Sequence, residues 1–173
     1  MTAVFISSDN EFEDAVSVFQ LLSCAAKVSA VFKGFTFIND DADFILLPLD
    51  GGKIEINTSC AAIIFDDSAA TERLPHGCTV LCFCDKAAFR CSGHGRQVIS
   101  CGMHNKDTIT LSSTEKGKPV LSVQRRLVTF GGKTVEVGDF PLVTDEQNHR
   151  ALMAAAVLML LNGRELEQDT FSN

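Results

Sequence analysis

The chain opens with an apolar run, Ala3 to Ile6, a turn through Ser7, Ser8, Asp9 and Asn10, and then a helical pattern. In α/β nucleotide-binding proteins such a strand–turn–helix junction holds phosphate. Glycines let backbone N–H groups approach the anion, and a lysine meets its charge. Here the stretch from Ile6 to Asp14 has no glycine and no lysine, and it carries Asp9, Glu11, Glu13 and Asp14. The scaffold suits a phosphate site, but its side chains have the wrong sign. Those acids could bind a cation or a basic partner. They also suit a solvated first helical turn, where negative charge favours the helix dipole.

A second set lies mid-chain. Cys91-Ser92-Gly93-His94 and Cys101-Gly102-Met103-His104 are two C-x-x-H units with six residues between them. Thiolate and imidazole ligands in that number suit tetrahedral Zn²⁺, so Cys91, His94, Cys101 and His104 form the alternative metal set. The plainer reading is core cysteines and surface histidines, because Cys101 ends an apolar, strand-like run. A cysteine nucleophile activated by His94 or His104 is the third option, but no acid or amide stands at a spacing that would orient the imidazole. Asp66-Asp67 follows another apolar run, the end of a strand where α/β sheets bind ligands. Two acids in a turn are also ordinary.

Composition bounds the host of these groups. With 173 residues, 46% hydrophobic and 21% charged, the chain suits one globular domain over 1–173 with a real core. A net charge of -7 argues against a nucleic-acid partner, and the one basic pair, Arg125-Arg126, is too small to displace counterions. No apolar run reaches the roughly 20 residues of a membrane span, and no basic segment followed by an apolar one marks a secretory leader. Seven cysteines, an odd number set mostly in apolar runs, fit a reducing, cytoplasmic location. Trp and Tyr are absent, so Phe supplies all aromatic bulk, and Phe5, Phe12, Phe19, Phe35, Phe37, Phe44, Phe65 and Phe83 are expected in the core.

The elements that must position the polar groups follow from periodicity. A helix is expected over 9–27, with Ser8 and Glu11 at capping-box spacing. Strands are expected at Val28–Lys33, Gly34–Ile38, Phe44–Leu49, Ala61–Phe65, Cys78–Cys84 and Gln97–Cys101. Asp50-Gly51-Gly52 suggests a hairpin into Lys53–Asn57, and a short helix can start at Ser68. Alternation then takes over at Thr108–Leu111 and Val120–Gln124, with a hairpin at Gly131-Gly132, so about 107–143 predicts an antiparallel subsheet. A helix over about 145–162, apolar nearly all round, closes the chain, with Thr144 as cap, Gln147 at the box position and Gly163 as stop. The polar tail 164–173 is expected to fray. The class is α/β: a mostly parallel sheet with flanking helices over about 1–106, plus the subsheet.

This order of elements resembles the central, ATP-binding domain of the Mur ligase family, the amide ligases of peptidoglycan precursor synthesis, which also includes folylpolyglutamate synthase. Ile6 to Asp14 lies where the family has I-T-G-[TS]-N-G-K-[TS]. Ala42 to Leu49 lies on A-D-x-x-V-x-E-x-S, and Ala61 to Ala70 on V-I-T-N-I-x-x-D-H. Leu81 to Ala87 resembles V-x-N-x-D-D-P, and Val98 to Gly102 resembles V-I-T-F-G. Gln147-Asn148 and Ala151 to Gly163 resemble the helix that begins H-N-x-x-N-A.

The resemblance implies a decayed, free-standing central domain. The loop glycine and lysine fall on Glu11 and Phe12, and the metal-binding glutamate on Pro48. The asparagine and histidine of the next segment fall on Phe65 and Ala70, and the helix histidine on Gln147. Mg²⁺ needs hard oxygen ligands, which these positions lack. Asn148 and Asp85 match the pattern, so they are the cofactor-side residues left to meet an adenine-like edge. The implied protein has no catalytic residues and no expected cofactor, ATP and Mg²⁺ included. It acts as a binding or regulatory module, through a protein partner or through self-association of faces that family neighbours normally cover. A small-molecule or nucleotide enzyme with a non-standard site, and a zinc-stabilised domain, are the alternatives.

Overall fold

Short apolar runs, rich in Val, Ile, Phe and Ala, dictate a sheet buried on both faces. The computed structural model describes residues 1–49, 56–67, 74–92, 95–113 and 117–172, with backbone only at Glu11 and Ser113. The strands are β1 (Thr2–Ser7), β2 (Val28–Phe32), β3 (Phe35–Phe37), β4 (Phe44–Pro48), β5 (Cys60–Ile64), β6 (Thr79–Cys82), β7 (Val98–Gly102), β8 (Ile109–Ser113), β9 (Val120–Val123), β10 (Leu127–Val128), β11 (Thr134–Val135) and β12 (Gly138–Pro141). The helices are α1 (Glu11–Ala25), α2 (Asp85–Cys91) and α3 (His149–Leu161).

Ten strands form one sheet in the order β12-β9-β8-β7-β6-β5-β1-β4-β2-β3, and β10 and β11 form a separate antiparallel pair. From β2 through β4, β1, β5, β6 and β7 to β8 every neighbour is parallel, while β3, β9 and β12 join antiparallel. The antiparallel region expected over 107–143 is therefore mostly an extension of the main sheet. It is joined where Cys101 and Gly102 pair with Ile109 and Thr110; among the described strands, only the β10–β11 hairpin stands apart.

Side-chain alternation along each strand splits the core in two. Val4, Ile6, Leu46, Ile63, Leu81, Ile99 and Cys101 pack with α1 and α3. Ala3, Phe5, Ala62, Ile64, Val80 and Cys82 share the other face with Ala87 and Cys91 of α2. In α3 every residue from Ala151 to Leu161 is buried, as its all-round apolar sequence predicts. It ends as expected at Gly163, whose φ of +75° suits glycine. The Gly163 N–H donates to the Leu160 carbonyl and the Arg164 N–H to the Met159 carbonyl, a Schellman stop.

Several expectations are corrected. Asn10, not Ser8, is the N-cap of α1, and no side chain caps it. Asn148, not Thr144, caps α3 with its side chain; Thr144 instead accepts from the Glu146 N–H. The expected strand Cys78–Cys84 ends at Cys82 because α2 begins at Asp85, a helix that periodicity missed over seven residues. Phe12 and Phe37 are exposed rather than core. The tail does not fray throughout: Phe171 is buried, and Gln168 accepts from the Val143 N–H through its carbonyl. One apolar ring near the end suffices to dock a polar segment. The turn at 50–52 with most of the strand after it, and the helix from Ser68, lie outside the described residues.

Candidate functional site

The turn after β1 is closed by its own side chains. Asp14, in α1, is only 8% exposed although ionisable. The Ser8 hydroxyl donates to one of its carboxylate oxygens, and Asn148 Nδ2 donates to the other at 3.0 Å. A buried charge needs such donors, which is why Ser8 turns to Asp14 instead of capping the helix. Asn148 makes further bonds. Its Oδ1 accepts from the Ala151 N–H at 3.1 Å, and its own N–H donates to Glu146 Oε1 at 2.6 Å. The network ties the front of the chain to the start of α3, where the sequence pattern leads one to look for a phosphate.

Asp85 and Asn148, expected as the residual cofactor side, have different surroundings. Asp85 is exposed in the first turn of α2 and borders a cavity of about 440 Å³ at the C-terminal ends of β6 and β7. Phe83, His104, Asp107, His149 and Arg150 also line it. Asn148 does not line it; the next two residues along α3 do.

Arg150 escaped the reading of the sequence. Its guanidinium lies over the Phe65 ring at 4.7 Å and the Phe83 ring at 5.7 Å from the centroids, and it donates to the Phe65 carbonyl. The two rings are themselves 4.9 Å apart. The available signal was a cation in the first turn of an otherwise apolar helix, the end where the dipole disfavours it. Something beyond the helix must hold such a residue, and here two aromatic faces and a carbonyl do so.

Asp67, the second acid after β5, also has structural employment. Asp67 pairs with Lys86 at 2.9 Å and Arg90 at 3.2 Å, and Arg90 donates to the Asp67 carbonyl at 2.7 Å. The hydrogen bond from Lys86 holds the Asp67 carboxyl below the ordinary range, against some desolvation, with the charges of Lys86 and Arg90 adding. These contacts lash the end of β5 to α2.

The four zinc-alternative residues do not share one face. Cys91 belongs to the α2-side core and Cys101 to the core under α1 and α3. His104 is exposed, with its N–H donating to Asp107, and His94 lies outside the described residues. Burial pushes the Cys101 thiol well up, which disfavours the thiolate a metal or a nucleophilic role needs. Among the described residues no three of His, Cys, Asp and Glu converge as metal ligands. The Mg²⁺ that the resemblance would bring also fails to fit. Pro48 ends β4 where a carboxylate would be needed, and Phe65 follows β5. Neither side chain carries an oxygen.

No protein-family model and no curated protein sequence matches the chain. Solved structures do. MurF ligase from Thermotoga maritima in complex with ADP superposes over 100% of this chain and 48% of its own, with a TM-score of 0.60 and 9% identity. Folylpolyglutamate synthase from Thermotoga maritima gives a TM-score of 0.59 at 7% identity, covering 98% of this chain and 56% of that one. The Lactobacillus casei folylpolyglutamate synthetase gives 0.56 at 10%, covering 98% and 60%.

The fold is Mur-ligase-like.

The chain spans about half the length of these proteins, 48% to 60%. At such identities the likeness is one of fold, and the chemistry must be argued from this chain's own residues. Within the Mur-ligase-like sheet, those residues put a satisfied carboxylate after β1 and a stacked guanidinium beyond β5.

Proposed function

We propose that this chain is a non-catalytic Mur-ligase-like domain, a binding or regulatory module rather than an amide ligase. The observation that carries the reading is the buried Asp14 carboxylate, held by Ser8 and Asn148 beside the turn after β1. A phosphate brought there would meet a like charge, and Asn148 is already bonded to Asp14 and to the helix it caps. Pro48 and Phe65 at neighbouring strand ends favour the same reading. No cofactor is proposed. A connection to cell-wall precursor synthesis rests on the likeness to MurF ligases alone.

The partner is a protein or a second copy of the chain. Exposed apolar side chains support this: Phe89 is 82% exposed, and Phe12, Ile38 and Met103 are more than half exposed. Sedimentation over a concentration series tests self-association; a strictly monomeric chain leaves only the separate protein.

One observation favours a second reading, small-molecule binding. The cavity beside Asp85 has aromatic, imidazole and guanidinium groups on its wall. Calorimetric titration with ATP, with and without Mg²⁺, separates the two. The module reading expects no heat up to millimolar nucleotide. Micromolar binding would overturn it in favour of the second.

A further inference from the structure

Two cysteines meet at the opposite end of the sheet, where two central strands begin. Cys60 begins β5, and Cys78 immediately precedes β6. Parallel pairing sets Ala61 beside Thr79, so Cys60 and Cys78 stand side by side one step earlier. They share the core face with α2. Both thiols are free, and the Cys78 S–H donates to the Thr79 carbonyl at 3.6 Å. Neighbouring strands lie about 4.8 Å apart, within the roughly 4.4–6.8 Å between Cα atoms that a disulfide spans.

The two sulfurs have unlike surroundings. Cys60 borders a cavity of about 350 Å³ shared with Thr58, Ser59, His76, Gln97 and Thr129. Cys78 is fully buried and does not line it. The neighbouring Cys78 sulfur holds the Cys60 thiol below the usual range against the effect of burial, and the Arg96 charge adds to this. Arg96 is anchored through Nη2 on the Leu74 carbonyl at 2.7 Å. The nearby Cys60 sulfur, with burial, pushes the Cys78 thiol up. Cys60 thus borders a cavity and favours the thiolate, while its neighbour Cys78 lies off the cavity and stays protonated. Attack and resolution in disulfide exchange need that division.

We propose that Cys60 and Cys78 form a thiol–disulfide exchange site that takes low-molecular-weight disulfides through this cavity. The Cys60 thiolate attacks one sulfur of the disulfide RSSR. The S–S bond breaks, and RS⁻ leaves, taking up the proton that Cys60 gave to solvent. Cys78 then loses its proton and attacks the Cys60 sulfur, and the second RS⁻ leaves as RSH. Two protein thiols are oxidised to one disulfide, and RSSR is reduced to two RSH. The proposal is independent of the module reading.

The test treats the folded 173-residue chain, with exposed Cys24 changed to Ser, with oxidised glutathione and maps the peptides by mass spectrometry. A Cys60–Cys78 disulfide is expected while Cys82, Cys91 and Cys101 stay reduced. Cys78→Ser should accumulate the glutathione adduct on Cys60, and Cys60→Ser should give neither product. Oxidation of all buried cysteines at one rate, as global unfolding would give, overturns the proposal. So does a Cys60 that stays reduced. Should a serine variant fail to fold, the Cys24→Ser chain decides by iodoacetamide labelling. Cys60 should react at least about tenfold faster than Cys82 and Cys101; equal rates sink the idea.

Discussion

At the scale of single residues, Asp14 and Arg150 are where this chain departs from what its layout suggests. Both are charged, and both are held by groups distant in sequence. Asp14→Ala leaves Asn148 Nδ2 and the Ser8 hydroxyl without their acceptor in a part-buried site. The expected loss is about 1–3 kcal/mol of stability, measured by urea denaturation. Ser8→Ala should cost less, because Asn148 still pairs with the carboxylate. A neutral Asp14→Ala would mean the network is solvated, and the argument for a blocked turn would weaken with it. Asp14 was visible in the sequence only as one of four acids; nothing local distinguished it. Its burial comes from α3, which arrives 134 residues later.

At the scale of elements, α3 was foreseen best. Its run is too apolar to face water on any side, and Gly163 marks its end. Its start was misplaced because Thr144, Gln147 and Asn148 all offer capping chemistry, and only the packing against α1 chooses among them. Gly163→Ala should cost about 1 kcal/mol or slightly more, a purely conformational penalty, since nothing lies within 4 Å of the added methyl. Thermal unfolding reads it, and an unchanged midpoint would place the stop elsewhere. Beyond that glycine, Arg164 clamps two front-half elements. It donates to the Ala25 carbonyl at 2.6 Å and pairs with Asp43 at 2.7 Å. Burial raises the Asp43 carboxyl, but the Lys27 N–H and the Arg164 charge outweigh it and leave it lowered from the ordinary value of 3.8. A lowered folded-state value contributes stability above the unfolded value. That stability is lost as pH falls through the folded-state value, below 3.8. Asp43→Asn should therefore flatten the acid limb of a stability–pH curve without changing its shape above about pH 6. An unaltered acid limb would show that the clamp is solvated in both states.

At the scale of the whole molecule, the sheet brings a carboxylate, not a lysine, to the turn after β1, and ATP with Mg²⁺ should give no heat in calorimetry. Asp14→Asn removes the opposing charge. If that variant also fails to bind, the missing lysine and glycines suffice to explain the loss. If it binds, the carboxylate alone is the block. The sequence by itself determined the class of the fold, the order of most of its strands in the chain, the buried closing helix and a turn after β1 that carries acids and no glycine or lysine. Those follow from apolar periodicity and residue type, which act locally. Only the tertiary structure decided that β8 continues the main sheet and that Cys91 and Cys101 look to opposite faces. It alone seated Arg150 on Phe65 and Phe83, set Cys60 beside Cys78 and joined Asn148 to Asp14. The physical reason is common to all of these. A polar group takes whichever partner the packing of distant elements brings within about 3 Å, and spacing along the chain does not encode that choice.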